Sequence, residues 1–156
     1  MKLAELITED LVVLPLHAAD KWEALRVVAH TPARAGRYPA AFAAEVEKAL
    51  VLREKSMTTG MENGIAIPHS SVPQVDHPAV ALGVSRAGID FQAIDGRPTH
   101  LVILLVNPAN QTKAHIRTLA GIARLLNDGR LRREILAAQD PTSVMELLQA
   151  REGAPV

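Results

Sequence analysis

Apolar residues follow two different spacings along this chain, and these spacings predict the order of its strands and helices. Short apolar runs predict strands at residues 11–14, 65–67, 80–85, 89–91 and 99–106. Longer segments with apolar side chains every three or four residues predict helices at residues 20–29, 39–52, 112–126, 131–138 and 141–149. Because strands and helices are mixed along the whole length, the pattern predicts an α/β or α+β protein whose sheet is covered by helices.

The predicted helix ends rest on capping residues and on prolines. Asp20 and Thr112 are suited to cap the first and third helices, and Pro39 and Pro141 are suited to begin the second and last. Residues 30–38, rich in Pro, Gly and Arg, predict a loop. The residues predicted to face the core are Trp22, Leu25, Val28 and Ala29 in the first helix, Phe42, Val46, Ala49 and Leu50 in the second, and Ile116, Leu119, Ile122, Ala123 and Leu126 in the third.

The segment 64–69, with the sequence GIAIPH, is the most informative in the chain. Gly64 suits a turn that needs backbone angles closed to other residues, and the apolar run after it predicts a short buried strand. Pro68 has no N–H to donate, so the sheet ladder is expected to stop there. His69 would then stand at the mouth of a strand on a rigid backbone, a suitable place for a nucleophile.

Two further residues extend this chemistry. His115 falls in the first turn of a predicted helix, where the helix dipole disfavours extra positive charge and free N–H groups attract anions. Arg53 offers a planar fork for phosphate or carboxylate, and Thr58, Thr59 and Asn63 offer neutral donors. An imidazole nitrogen can accept a phosphoryl group and pass it on, so the set suggests a transient phosphohistidine.

Plainer interpretations of the same residues remain open. His69 as a loop residue, His115 as a structural residue and Arg53 as a solvated helix end each fit the spacing. His69 and His115 would also suit a metal-dependent hydrolase, but no carboxylate or third histidine stands at a ligand spacing. The cluster Arg130, Arg132 and Arg133 is interpreted as an exposed helix face.

Composition excludes several classes of function. The chain of 156 residues has no cysteine, so it has no disulfide and no thiol chemistry. Lys and Arg together number 17, as do Asp and Glu, and aromatic residues make up 3%, so a nucleic-acid-binding surface is not expected. No apolar run approaches a membrane span and the N-terminus lacks a signal-peptide core, which predicts a cytoplasmic protein. No nucleotide-binding signature is present, so the phosphoryl donor is expected to be another protein.

Together these segments resemble enzyme IIA of the fructose/mannitol type, from the bacterial phosphoenolpyruvate-dependent phosphotransferase system, a family that includes the nitrogen-regulatory enzyme IIA proteins. The segment 63–69, with the sequence NGIAIPH, resembles the active-site signature of that family. The resemblance continues in Arg53-Glu54, in the segments 88–91 (GIDF) and 93–98 (AIDGRP), and in the helix that carries His115. It covers nearly the whole chain.

The resemblance implies a single domain over residues 1–156, with a mixed central sheet of about five strands flanked by helices. It implies that His69 accepts a phosphoryl group from the carrier protein HPr or a relative, and that His115 and Arg53 stabilise it. Beside the resemblance, Thr59, Asn63 and Ser70 are predicted to support phosphoryl binding. The phosphoryl group would then pass to a cysteine of a IIB domain in sugar uptake. Alternatively, the phosphorylation state would control binding to regulatory target proteins. No cofactor or metal is implied.

The chain departs from the family pattern at two places. Met61 and Glu62 stand where the family more often has Ile-Gly, and the segment 31–38 is longer and more polar than usual. The negative charge of Glu62 near an incoming phosphoryl group is expected to slow transfer or to change docking.

Overall fold

The computed structural model describes residues 2–153, which form one mixed β-sheet with helices on both faces. The helices are α1 (Leu3–Leu6), α2 (Lys21–Arg34), α3 (Ala43–Ser56), α4 (Thr112–Leu126), α5 (Gly129–Ala137) and α6 (Pro141–Glu152). The strands are β1 (Val12–Val13), β2 (Ile65–Ala66), β3 (His69–Val72), β4 (Ala79–Ile89) and β5 (Thr99–Pro108). This confirms the predicted α/β class. Residues 1 and 154–156 of the predicted domain lie outside the described residues.

The sheet has the strand order β1-β4-β5-β2, and β3 pairs with β5 on the same side as β2. β4 and β5 are antiparallel, whereas the other pairs are parallel, so the sheet is mixed as predicted. β2 and β3 keep one register along β5, with Ala66 opposite Val102 and His69 opposite Leu105. The chain from β2 to β3 is therefore one interrupted edge strand of the sheet.

Alternation of side chains along β5 divides the core into two halves. Leu101, Ile103 and Leu105 pack with α1, α4, α5 and α6 on one face, through residues such as Ile122, Leu126, Ile135 and Leu148. Val102, Leu104 and Val106 pack with α2 and α3 on the other face, through residues such as Leu25, Val28, Val46 and Leu50. Each face of the sheet therefore has its own helical layer.

The prediction that the ladder stops at Pro68 is wrong. The carbonyl of Pro68 accepts a hydrogen bond from the backbone N–H of Leu105 (3.0 Å), and pairing resumes at His69. An edge strand tolerates proline because only one of its two sides needs hydrogen-bond donors. The predicted strand at 89–91 is also wrong as a separate element, since Ile89 is the last residue of β4.

Four predictions about helix ends or faces are wrong as well. α2 continues to Arg34 through Pro32, so residues 30–34 are not loop. Pro39 precedes a 3₁₀ turn rather than beginning the helix, and Gln111, not Thr112, is the N-cap of α4. Trp22 is 39% exposed rather than buried, with Lys21 Nζ 5.0 Å from the centre of its ring.

Candidate functional site

His69 lies on the edge strand, with its side chain on the face of the sheet that α4 covers. Its register partner Leu105 belongs to the core on that face. The Nδ1 atom of His69 lies 2.8 Å from the carbonyl oxygen of Ile67. Because a carbonyl oxygen can only accept, Nδ1 carries the proton and the neutral ring has its lone pair on Nε2. The strand thus fixes both the orientation and the tautomer of a half-buried imidazole.

His115 reaches the same place from α4. The centres of the His69 and His115 rings are 5.6 Å apart, and the ring planes are tilted by 43°. The backbone N–H of His115 donates to the carbonyl of Gln111 (3.0 Å), so the ring projects from the first turn of the helix, as predicted. Two histidines distant in the sequence therefore face each other at the sheet edge.

The surroundings keep both imidazoles neutral. Burial lowers the pKa of His69; the hydrogen bond to Ile67 raises it, Arg53 lowers it and Glu54 raises it, and the sum lies below the ordinary value. Burial also lowers the pKa of His115, and the neighbouring His69 adds to that effect. At neutral pH each ring therefore carries an unprotonated nitrogen that can act as a nucleophile or accept a proton.

Arg53 approaches from the opposite face of the sheet. It lies on α3, which packs under the other half of the core, and it lines a cavity of about 400 Å³ together with His69. One guanidinium nitrogen, Nη1, donates to the carbonyl of Met57 (2.7 Å), which holds the side chain at the end of the helix. The other donors of the guanidinium can then bind an anion on His69.

Glu54 organises the loop beside the cavity, a role that the sequence interpretation missed. Glu54 is 3% exposed, and its carboxylate accepts hydrogen bonds from the backbone N–H of Thr59 (3.0 and 3.1 Å) and from the Thr59 hydroxyl (2.5 Å). Lys21 Nζ, equally buried, lies 3.2 Å from the same carboxylate. Lys21 and Thr58 also donate to the carbonyl of Phe91. This buried network joins α2, α3 and the chain after β4.

Thr59, Asn63 and Ser70 stand in different positions relative to the cavity. Thr59 lines it, but its hydroxyl is occupied by Glu54. Asn63 adopts left-handed backbone angles (φ 67°), and its N–H donates to Asp95 (3.0 Å) at an adjacent depression. Ser70 points to the opposite face from His69, because its register partner Val106 belongs to the other core. Their predicted supporting roles stay predictions.

An apolar surface surrounds the cavity and corrects the prediction for α4. Ile116 was expected in the core but is 59% exposed, and Ile94 is 70% exposed. Both line the cavity with Met61, Leu119 and Ala123. We call these five residues the apolar rim. Within residues 2–153 there is no group of three or more His, Cys, Asp or Glu side chains placed to hold a metal ion, and no helix is long and apolar enough to cross a membrane.

Comparison with known proteins identifies the class to which this chain belongs. The family model described as "Phosphoenolpyruvate-dependent sugar phosphotransferase system, EIIA 2" matches residues 5–151. The chain therefore belongs to this family of phosphotransferase-system EIIA proteins, and the resemblance found in the sequence is confirmed.

Relatives of both functional types are similar to the chain. The nitrogen regulatory protein of Escherichia coli (strain K12) is 32% identical over 156 residues, which cover 99% of this chain and 94% of that protein. The fructose-specific EIIABC component of Bacillus subtilis (strain 168) is 28% identical over 152 residues, which cover 97% of this chain. The chain spans only 24% of the length of that EIIABC component.

A solved structure supports the same fold. The crystal structure of the nitrogen regulatory protein IIA-Ntr from Neisseria meningitidis superposes with a TM-score of 0.85 at 25% sequence identity. The match covers 94% of this chain and 98% of that one. The predicted architecture of a mixed five-stranded sheet flanked by helices is thereby confirmed.

Proposed function

We propose that this protein is a phosphocarrier of the phosphotransferase system that accepts a phosphoryl group on Nε2 of His69. The observation that carries the proposal is the hydrogen bond from His69 Nδ1 to the carbonyl of Ile67. It leaves Nε2 as the nitrogen with the lone pair, in a ring that borders an open cavity.

In the proposed reaction, Nε2 of His69 attacks the phosphorus of a phosphohistidine on an HPr-like carrier protein. A new N–P bond forms on His69, and the N–P bond on the carrier breaks, returning its imidazole. Arg53 binds the transferring phosphoryl oxygens, and His115 becomes a hydrogen-bond donor to them after it takes a proton from solvent. In the second step a cysteine thiolate of a IIB domain attacks the same phosphorus, and His69 leaves as the neutral ring.

The apolar rim supports a protein, rather than a small molecule, as the phosphoryl donor. Ile94 and Ile116 project on the border of the cavity beside a nucleophile that is itself only half-buried. Exposed apolar side chains around a reactive group are typical of a surface that a partner protein covers. We propose that the HPr-like carrier contacts this rim while its phosphohistidine meets His69.

The relay is tested with the purified chain, enzyme I, HPr and labelled phosphoenolpyruvate. We expect the label to reach this protein only when both enzyme I and HPr are present, and to leave it when a cognate IIB protein is added. Failure of phosphorylated HPr to label the chain would overturn the proposal.

A regulatory function is the second candidate, because the nitrogen regulatory protein of E. coli matches almost end to end whereas the sugar-specific EIIABC component is matched over a quarter of its length. In that case phosphorylation of His69 would change the affinity for target proteins. Rapid transfer of the label to a IIB cysteine would favour the sugar relay, and stable phosphorylation in the presence of IIB would favour regulation. Neighbouring genes for a IIB–IIC pair would also favour sugar uptake.

We expect the rate of phosphoryl acceptance to stay constant as the pH falls through the ordinary histidine range and to decline only in more acidic buffer. The nucleophile is the neutral ring, and the pKa of His69 lies below 6.5, so protonation removes the nucleophile only below that pH. Single-turnover rates between pH 5 and 8 measure this, with ring titration by NMR as the check. A decline centred well above pH 6.5 would contradict it.

Replacing Arg53 by Ala is expected to slow transfer by about 100-fold, since preorganised charge at a developing anion typically contributes that much. Arg53→Lys should lose less, because it keeps the charge but not the planar fork. Rates with a fixed concentration of phosphorylated HPr compare the three proteins. Equal rates would remove Arg53 from the site.

Replacing His115 by Ala is expected to slow transfer by a comparable factor, about 100-fold, while leaving the fold intact. The side chain is half-buried and projects from the first turn of α4, so little stability depends on it. Urea unfolding beside the transfer assay separates the two effects. A loss of several kcal/mol of unfolding free energy would show that His115 is a structural residue instead.

A further inference from the structure

Two buried polar atoms next to the first turn of α4 lack hydrogen-bond partners within residues 2–153: Oδ1 of Asn107 and Nδ1 of His115. Asn107 is 1% exposed and lies near the end of β5. It lies two residues beyond Leu105, so its side chain is on the face of the sheet that α4 covers. A buried amide oxygen without a partner is uncommon and calls for an explanation.

One carbonyl oxygen links the two residues. The carbonyl of Gln111, the N-cap of α4, accepts from Asn107 Nδ2 (3.1 Å) and from the backbone N–H of His115 (3.0 Å). This contact also fixes the orientation of the amide, because only the NH₂ group of Asn107 can donate to a carbonyl. Asn107 is therefore left with a free acceptor beside the turn that carries His115.

We propose that Asn107 is a positioning residue for His115, whose Nδ1–H it binds through Oδ1 so that Nε2 serves the phosphoryl group. The proposal rests on the proposed function of His69. The proposed hydrogen bond pairs the two unpartnered atoms with each other, since one is an acceptor and the other is a ring nitrogen that can carry a proton.

In this proposal, each of the two histidines has its Nδ1–H held by a hydrogen-bond acceptor. The carbonyl of Ile67 holds Nδ1–H of His69, and Asn107 holds Nδ1–H of His115, so each ring keeps Nε2 for the reaction. When a phosphoryl group arrives on His69, His115 takes a proton from solvent at Nε2 and donates it as a hydrogen bond. The titratable neighbour that faces His115 is His69 on β3, with Arg53 and Glu54 of α3 behind it. A neutral acceptor at Asn107 then stabilises the positive ring without adding another charge.

The test is NMR of protein labelled with ¹⁵N in its histidine rings, which reports the tautomer and the pKa of each imidazole. At pH 8 we expect His115 to be protonated on Nδ1, and in Asn107→Ala that preference should be lost. After phosphorylation with phosphoramidate, a small-molecule donor, the pKa of His115 should be about one unit lower in Asn107→Ala than in the unsubstituted protein, a tenfold change in the protonation constant. Asn107→Asp, of nearly the same shape, should keep the Nδ1–H tautomer and raise the pKa.

Asn110→Ala is the matched control, because Asn110 is an exposed residue of the same type in the loop before α4. It should leave the His115 signals unchanged. Nδ2 of Asn107 also helps to hold the helix start, and neither variant keeps that bond, so the tautomer of His115 in the unsubstituted protein carries the test if the variants do not fold. An unprotonated Nδ1 of His115 in the unsubstituted protein, or ring signals unaltered in the Asn107 variants, would overturn the proposal. Failure of HPr to label His69 would instead overturn the proposed function and leave the tautomer result standing.

Discussion

Replacing His69 by Ala is expected to abolish phosphoryl acceptance from HPr completely. The proposed intermediate is covalent, and among residues 2–153 no other histidine lines the cavity. His69 lines the cavity, and its Nδ1–H is held by the carbonyl of Ile67 (2.8 Å), which leaves Nε2 directed to the reaction. Labelling with phosphoenolpyruvate, enzyme I and HPr, followed by mass spectrometry of the labelled peptide, measures the loss.

The same experiment identifies the phosphorylated atom. We expect the phosphohistidine to be the Nε2 isomer, because Nδ1 is occupied by its hydrogen bond. His77→Ala is the control, since His77 is exposed in the segment between β3 and β4 and should keep full labelling. Label retained in His69→Ala, or a phosphoryl group on Nδ1, would contradict the role derived from the strand geometry.

Local patterns in the sequence predicted the layers and pointed to the three main candidate residues, because each of those features is short-range. The apolar run of β5 and the helical spacing of α4 are visible in the residues themselves. The segment 64–69 likewise combines a glycine with φ 77° and a proline directly before His69. The structure then brings His69, His115 and Arg53 to one edge of the sheet, as their use in a single site requires.

The errors come from features that depend on the tertiary environment. Periodicity alone does not show which border of the apolar stripe of α4 faces the core: Ile116, exposed at the cavity, and Ile122, buried in the core, lie about 120° apart around the helix. Pro32 was interpreted as part of a loop, but it is buried near the end of α2, where the Thr31 hydroxyl donates to the carbonyl of Val27 (2.8 Å). Whether a residue is exposed or buried therefore depends on partners that are far away in the sequence.

Glu54 shows this dependence most clearly. At the sequence level it belongs to a charged helix end, Arg53-Glu54-Lys55, that is ordinarily solvated. In the structure it is buried against Lys21, which is 33 residues away, and it holds the Thr59 backbone beside the cavity. The only sequence signal for this pair was Lys21, a charged residue at the start of a helix whose inward face is otherwise apolar.

The Lys21–Glu54 pair leads to the largest expected effect on stability. Replacing Lys21 by Met should lower the free energy of unfolding by about 3–5 kcal/mol, because it leaves an uncompensated carboxylate in a buried site. Lys21 and Glu54 are 4% and 3% exposed, so water cannot replace the lost partner without opening the structure. Urea unfolding of both proteins at pH 7 measures the difference. Lys48→Met, at an exposed lysine of α3, should change the stability by less than about 0.5 kcal/mol.

A second substitution distinguishes the charge from the packing. In Lys21→Met/Glu54→Gln the buried site is neutral, and the amide oxygen can still accept from the Thr59 N–H. The double variant should therefore recover more than half of the stability lost in Lys21→Met. It should also keep most of the phosphoryl-transfer rate, because the loop at the cavity remains tied to α3. A double variant no more stable than Lys21→Met would mean that the contacts of the lysine stem, rather than its charge, stabilise this part of the fold.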